Sequence, residues 1–359
     1  MNPVSVIVLI FSALGALDYL FGNKLGLGQE LEKAFTLFRA MFLSMVGVLT
    51  VAPALGQWLM PLFDGFYHLF GLDPSIIPAS LLANDMGGMT LAQAICKTEA
   101  VGNYNAYVVS ALMGVVISFT IPVGISMVKP QQHKDLFFGF LCGIVAVPIG
   151  GFVAGLMCGL TPLQIILNLL PLMVLSGIIA VGLLLAPKLS VRIFAGFGRF
   201  MRAVSVIGLI LAVFTFLTGV KIHPAFAPLE DSAMICVNAC VTLSGMLPLM
   251  AIVTKLLRKP AQRLGEKMGI NDVATVSFLA SSVSVTTIFG SMEKMDRRGV
   301  VLNAAFSVSG AFVFGSHLAF TMAFDSSYLT PMMVGKLLCG VSAVALAMLL
   351  YKDKKGANA

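Results

Sequence analysis

The sequence predicts an all-α polytopic membrane protein, and three observations carry that prediction. The chain of 359 residues is 58% hydrophobic and only 11% charged, with a mean hydropathy of +0.97. Soluble domains carry about a quarter charged residues. The apolar residues fall into eleven segments, most of them near the ~20 residues a helix needs to cross a bilayer core. The Lys and Arg residues sort onto one face once two of those segments are folded back.

The segments lie at about 3–22, 39–62, 75–95, 104–128, 136–159, 165–186, 200–219, 232–254, 272–291, 299–323 and 331–351. The first has no Lys or Arg before it, so it reads as an uncleaved span rather than a secretory signal. Segments 75–95 and 272–291 are interrupted by polar residues at their centres. If all eleven cross, Lys and Arg divide evenly, 11 to each face. If 75–95 and 272–291 are re-entrant hairpins, 20 of the 23 fall on one face and only Lys97 and Lys221 on the other, with Lys336 inside the last span. Positively charged loops stay cytoplasmic. The expectation is therefore about nine transmembrane helices plus two re-entrant hairpins in one domain of the inner membrane. The N-terminus is outside and the C-terminus cytoplasmic.

An internal repeat gives this layout a hand. Ser80-Leu81-Leu82-Ala83-Asn84-Asp85 recurs 197 positions later as Ser277-Phe278-Leu279-Ala280-Ser281-Ser282. At the same spacing Leu141-Cys142-Gly143-Ile144-Val145-Ala146-Val147 recurs as Leu338-Cys339-Gly340-Val341-Ser342-Ala343-Val344. Repeat 1 covers about 1–159, a linking helix about 165–186, and repeat 2 about 200–351. Five spans precede repeat 2, so it is inverted. Inverted repeats whose broken elements meet at mid-membrane mark secondary transporters, with the site between the tips.

Asp85 is the leading candidate at that site. A carboxylate at membrane depth costs about 3 kcal/mol on insertion scales. The carbonyls ending the first half-helix add negative potential beside it, and both favour a cation. Asn84 precedes it; Thr90 and Gln93 lie on the second half-helix. Hairpin 2 offers Ser281, Ser282 and Ser284, with Thr286 and Thr287. These hydroxyls both donate and accept, although taken singly each is more often a helix-packing group. Asn303, Ser307 and His317 lie on the helix after hairpin 2. His317 suits proton relay, its ordinary pKa being about 6.5, and suits a buried structural role equally. Asp18, Glu99 and Asp325 read as interfacial, and Lys336 as snorkelling or paired.

Other functions find little support. A net charge of +7 is met by basic loops on one membrane face, with no patch for nucleic acid. The six cysteines sit in or beside apolar segments and read as packing, without disulfides. Cys236 and Cys240 lack the second ligand pair of a zinc site, so no metal or cofactor is expected. Gly151, Gly155 and Gly159 form a helix-packing ladder. No nucleophile elbow, phosphate loop or HExxH motif appears, which weighs against an enzyme.

The run Leu82-Ala83-Asn84-Asp85-Met86-Gly87-Gly88 resembles the first hairpin of the bacterial ethanolamine-utilization permease family, EutH. Lys294-Met295-Asp296-Arg297-Arg298-Gly299-Val300-Val301-Leu302-Asn303-Ala304-Ala305-Phe306, continuing to His317-Leu318-Ala319-Phe320, resembles it too. Pro331-Met332-Met333-Val334-Gly335-Lys336-Leu337-Leu338 is similar to its last span. The likeness covers roughly residues 30–350. It implies uptake of ethanolamine across the inner membrane, with Asp85 and the hairpin carbonyls holding the ammonium. Asn84 and the hairpin 2 hydroxyls would hold the substrate hydroxyl. Where Ser281-Ser282 and Ser316 stand, the family pattern has an Asn pair and an Asp, so Asp85 and His317 carry over most cleanly. The expected mechanism is alternating access, with a homodimer expected by analogy with other two-hairpin carriers. The residues alone leave open an ion-coupled carrier of another small polar solute and an amine or ammonia facilitator.

Overall fold

Helices begin and end where the sequence supplies caps and breakers. A computed structural model describes residues 3–351. In chain order its helices are α1 (Pro3–Leu20), α2 (Leu27–Phe70), α3 (Ile76–Leu81), α4 (Gly88–Ile95), α5 (Glu99–Met127), α6 (His133–Met157) and α7 (Pro162–Leu185). They continue with α8 (Pro187–Thr218), α9 (Leu229–Met268), α10 (Asp272–Ser281), α11 (Val285–Ser291), α12 (Arg297–Ser309), α13 (Ser316–Phe324) and α14 (Leu329–Leu350). Thr161 and Gln164 close a capping box at the start of α7. Gly71, Gly219 and Gly269 end α2, α8 and α9 in the left-handed conformation that glycine adopts without strain. Among the described residues, eight helices are long and apolar enough to cross a membrane, so the chain is an all-α, multi-pass membrane protein.

One of the nine expected spans, 299–323, differs from expectation. It is two shorter helices, α12 and α13, joined by an unwound segment at 310–315. Both interrupted segments, 75–95 and 272–291, are broken as well. Each is a pair of short helices, α3 with α4 and α10 with α11, packed against one another. α5 is also irregular: Asn105–Gly114 and Val116–Thr120 are wound as π-helix, a winding that concentrates at functional sites. α2 is 44 residues and α9 is 40. At 1.5 Å per residue they reach about 66 and 60 Å, beyond the bilayer's ~40–45 Å.

Two four-helix groups result. α1, α2, α8 and α9 pack together, and α5, α6, α12 and α14 form the other group. Hairpin α3–α4 lies against α2 and α5, and hairpin α10–α11 against α9 and α12. Glycines let the first group close. A Cβ on Gly47 in α2 would strike the backbone of α8 at Ser205, and one on Gly245 in α9 would strike the backbone of α1 at Val8. Such backbone-on-backbone crossings are how helices gain contact without a hydrophobic drive. Gly151 and Gly155 of the predicted ladder pack on α7 through Leu169 and Ile165; Gly159 is a left-handed turn beyond the helix.

Aspartates close the hairpin bases. Asp73, ahead of hairpin α3–α4, accepts the Lys97 and Thr98 amides that follow it, at 3.0 and 2.9 Å. Asp296, behind hairpin α10–α11, accepts the amide of Asn271 ahead of it at 2.8 Å, and also caps α12 at Gly299. Asn105 and Asn168 exchange side-chain hydrogen bonds of 3.1 and 2.6 Å and tie α7 to α5.

The segments grouped by charge on one face meet in space. Lys129 pairs with Glu293 at 2.5 Å, Gln132 bonds the Met292 carbonyl at 2.8 Å, and Lys255 bonds the Leu25 carbonyl at 2.8 Å. Asp18 is not a loose interfacial acid: it is buried and accepts the amides of Leu25, Leu27 and Gly28, fixing the α1–α2 turn.

Candidate binding site between the hairpin tips

The polar residues at the tip of the first hairpin divide into one that builds and one that faces a cavity. Leu82 leaves α3 in extended backbone, and Asn84–Met86 form one 3-10 turn before Gly87, whose φ of 88° is left-handed. Asn84 is wholly buried. Its Oδ1 accepts the Asp85 amide at 2.9 Å, and its Nδ2 donates to the His317 carbonyl at 3.4 Å and to Thr321 at 3.5 Å. Asn84 therefore pins this tip to α13. That leaves Asp85 free to point into a cavity of about 680 Å³.

The same cavity is lined by Ser284, Thr286 and Thr287 of the second hairpin and by Ser316 and His317 of α13. His317 Nε2 lies 4.0 Å from Asp85 Oδ1, and the Ser316 side chain faces the same carboxylate. The first turn of α13 thus meets Asp85, and an anion at a helix N-terminus is favoured by the helix dipole. The His317 ring is stacked on Phe312, centroids 5.2 Å apart. Phe312 holds a φ of 62°, a costly conformation for an aromatic residue and one that clusters at functional sites. Exposed Lys33 and Lys255, with Glu30, stand at the cavity's mouth.

The unwound segment behind Phe312 has a clear cause. Phe312 and Phe314 donate their amides to the carbonyls of Ser281 and Ser282, at 3.1 and 2.8 Å. A helix through 310–315 would have to forgo those bonds. The second hairpin tip is thus stitched by main chain to the break in the α12–α13 segment, as the first tip is stitched to α13 by Asn84.

Several expected site residues are placed elsewhere. Ser281 and Ser282 donate their hydroxyls to Phe278 and Leu279 carbonyls at 2.6 Å each, so their contribution here is backbone. Thr90 is away from the cavity. Gln93 donates to Asn103 and Tyr107, both at 3.1 Å. Asn303 donates to the carbonyls of Ala274 and Gly299 at 2.9 and 3.0 Å, holding α10 to α12, and Ser307 bonds its own helix at 2.8 Å. Lys336 does not snorkel: it is fully buried, and Nζ donates to the Ala111 carbonyl of the π-helical stretch at 2.6 Å. Ser316, which lines the cavity and faces the Asp85 carboxylate, was left out of the candidate set read from the sequence.

The family profile described as "Ethanolamine utilisation protein, EutH" matches residues 2–350. The chain belongs to the EutH family. A relative from Listeria monocytogenes serotype 1/2a, named "Probable ethanolamine permease EutH", is 37% identical over 342 residues, covering 95% of this chain and 92% of its own. "Uncharacterized protein YxeR" of Bacillus subtilis is 35% identical over 346 residues, 96% of this chain and 94% of its own. The Escherichia coli K12 "Probable ethanolamine permease EutH" is 33% identical over 356 residues, 92% of this chain and 87% of its own. No solved structure matches this EutH-family chain.

Proposed function

We propose that this EutH-family chain is an ethanolamine permease of the bacterial inner membrane, moving the protonated amine by alternating access. Three family relatives bear the name of probable ethanolamine permease. The observation that carries the reading is Asp85: a buried carboxylate lining a cavity together with the hydroxyls of Ser284, Thr286, Thr287 and Ser316. Ethanolammonium is a cation with one hydroxyl two carbons away. Asp85 supplies the charge-assisted acceptor for the ammonium. Ser284, Thr286, Thr287 and Ser316 offer donors and acceptors for the alcohol. His317 backs the carboxylate against the stacked Phe312 ring.

The two gates follow from the proposed inverted repeat. The order long helix, longer helix, hairpin, irregular helix, long helix occurs twice, with α7 between. The glycine crossings support a duplication at the sequence spacing. Gly47 and Gly245 stand 198 apart, and their partners Val8 and Ser205 stand 197 apart. Contact among the basic segments supports their sharing one face, which we assign to the cytoplasm. The cavity mouth at Lys33 and Lys255 is then cytoplasmic, and hairpin α3–α4 shuts the opposite side.

Purified protein in liposomes tests this reading. Uptake of labelled ethanolamine should saturate, and unlabelled ethanolamine preloaded inside should accelerate entry of label. Linear uptake without such counterflow would replace the carrier by a facilitator. Absence of ethanolamine uptake alongside uptake of another small amine or carboxylate would replace the substrate.

A further inference from the structure

A second cavity lies away from the transport site, where the ends of α7 and α14 meet the starts of α6, α8 and α12. Its volume is about 950 Å³. Two different surfaces form it. Phe137, Phe138 and Leu141 of α6, with Leu184 of α7 and Leu350 of α14, make an apolar wall. Leu184 and Leu350 remain 64% and 59% exposed. The rim is cationic, and its charges come from three separate elements: Lys134, Lys188 and Arg297.

One acid stands among these bases and is already engaged. Asp135 receives two hydrogen bonds from Arg297, at 3.0 and 3.2 Å, and a third from the Tyr351 hydroxyl at 3.1 Å. Lys134 and Lys188 are exposed and make no ion pair among the described residues. Their positive charge is left over at the rim. Basic groups at the cytoplasmic ends of membrane helices, next to exposed hydrocarbon, are the arrangement that recognises acidic lipid headgroups.

We propose that this groove seats an anionic phospholipid, its phosphate between Lys134 and Lys188 and an acyl chain along Phe137, Phe138 and Leu141. The order of the two surfaces selects the occupant. A free phosphate would use the rim and leave the wall bare. A zwitterionic lipid would cover the wall, but its own cation would oppose the two lysines. The seated lipid joins the start of α8 to the start of α6, two elements that belong to different helix groups.

Native mass spectrometry of the full-length protein, titrated with phosphatidylglycerol or phosphatidylcholine of the same chain length, tests this proposal. Wild-type protein should retain phosphatidylglycerol with a preference on the order of thirtyfold, from two lysines near a headgroup. The double variant K134Q/K188Q should fall toward parity between the lipids, with its phosphatidylcholine binding unchanged. Glycerol phosphate should not displace the bound lipid. Equal retention of both lipids by wild type, full preference in the double variant, or displacement by glycerol phosphate would each overturn the proposal. Both lysines are exposed, so loss of folding does not confound the variant.

Discussion

Replacing Asp85 with Asn removes one charge while keeping the side chain's shape. The Asp85 side chain is only 12% exposed, so solvent screens it weakly. An ammonium about 3 Å from a carboxylate is attracted by about 5 kcal/mol at an effective dielectric near 20. Stripping water from both ions returns part of that. Hydrogen bonds to charged groups contribute about 1.5–3 kcal/mol net. We therefore expect Asp85→Asn to weaken ethanolammonium binding by about 2–3 kcal/mol, which is roughly 30- to 150-fold in Kd. The amide keeps an acceptor for the Ser316 side chain, so folding should persist. KM for labelled ethanolamine in proteoliposomes, with thermal shift by ethanolammonium as an independent readout, measures the effect. A KM within about threefold of wild type, with the ligand-induced shift intact, would refute the assignment of Asp85 to the ammonium.

Other outcomes follow from the same geometry. Ser284→Ala should raise the KM for ethanolamine several-fold, whereas Ser282→Ala should leave it unchanged, because the Ser282 hydroxyl is spent on its own helix; uptake kinetics of the pair decide this. Asn168→Leu should cost about 1–3 kcal/mol of stability by stranding the Asn105 Oδ1 that Asn168 donates to, read as a lower melting temperature of the purified protein. Gly245→Leu should prevent the α1–α9 crossing and abolish folded yield in size-exclusion chromatography, while Gly196→Leu, with open space at its Cβ, should be recovered normally. Gly87→Ala should destabilise the tip by ~1 kcal/mol or more, from its left-handed φ and its contact with Val48, lowering the melting temperature without removing Asp85.

Much of the fold is legible because membrane helices announce themselves by length and composition. The breaks in 75–95 and 272–291 were legible because polar and glycine residues stand where hydrocarbon would be expected. The break at 310–315 was not. Ala311, Phe312, Val313 and Phe314 are apolar, and the helix opens there for a distant reason, the Ser281 and Ser282 carbonyls. Hydropathy has no access to such pairing. The same limit applies within the site. That Asp85 faces a cavity accords with the cost of its charge, but Asn84, Gln93 and Asn303 look equally polar and prove to be fasteners. Which side of a short half-helix faces a cavity depends on neighbours hundreds of positions away. Lys336 near the start of α14 looked able to reach water, yet a carbonyl of α5 holds it inside.

The aspartates at the hairpin bases bear on how such a protein came to be built. Glu99 stands 197 positions before Asp296, and Ile270 stands 197 positions after Asp73. At the repeat spacing the acid that closes one root is thus matched by a longer acid in the other half, which makes no such closure; an aspartate on the other side of that root does the work instead. If both halves descend from one ancestor, the closure was either lost and regained or acquired twice. A requirement met from opposite ends in two copies belongs to the architecture rather than to one inherited residue.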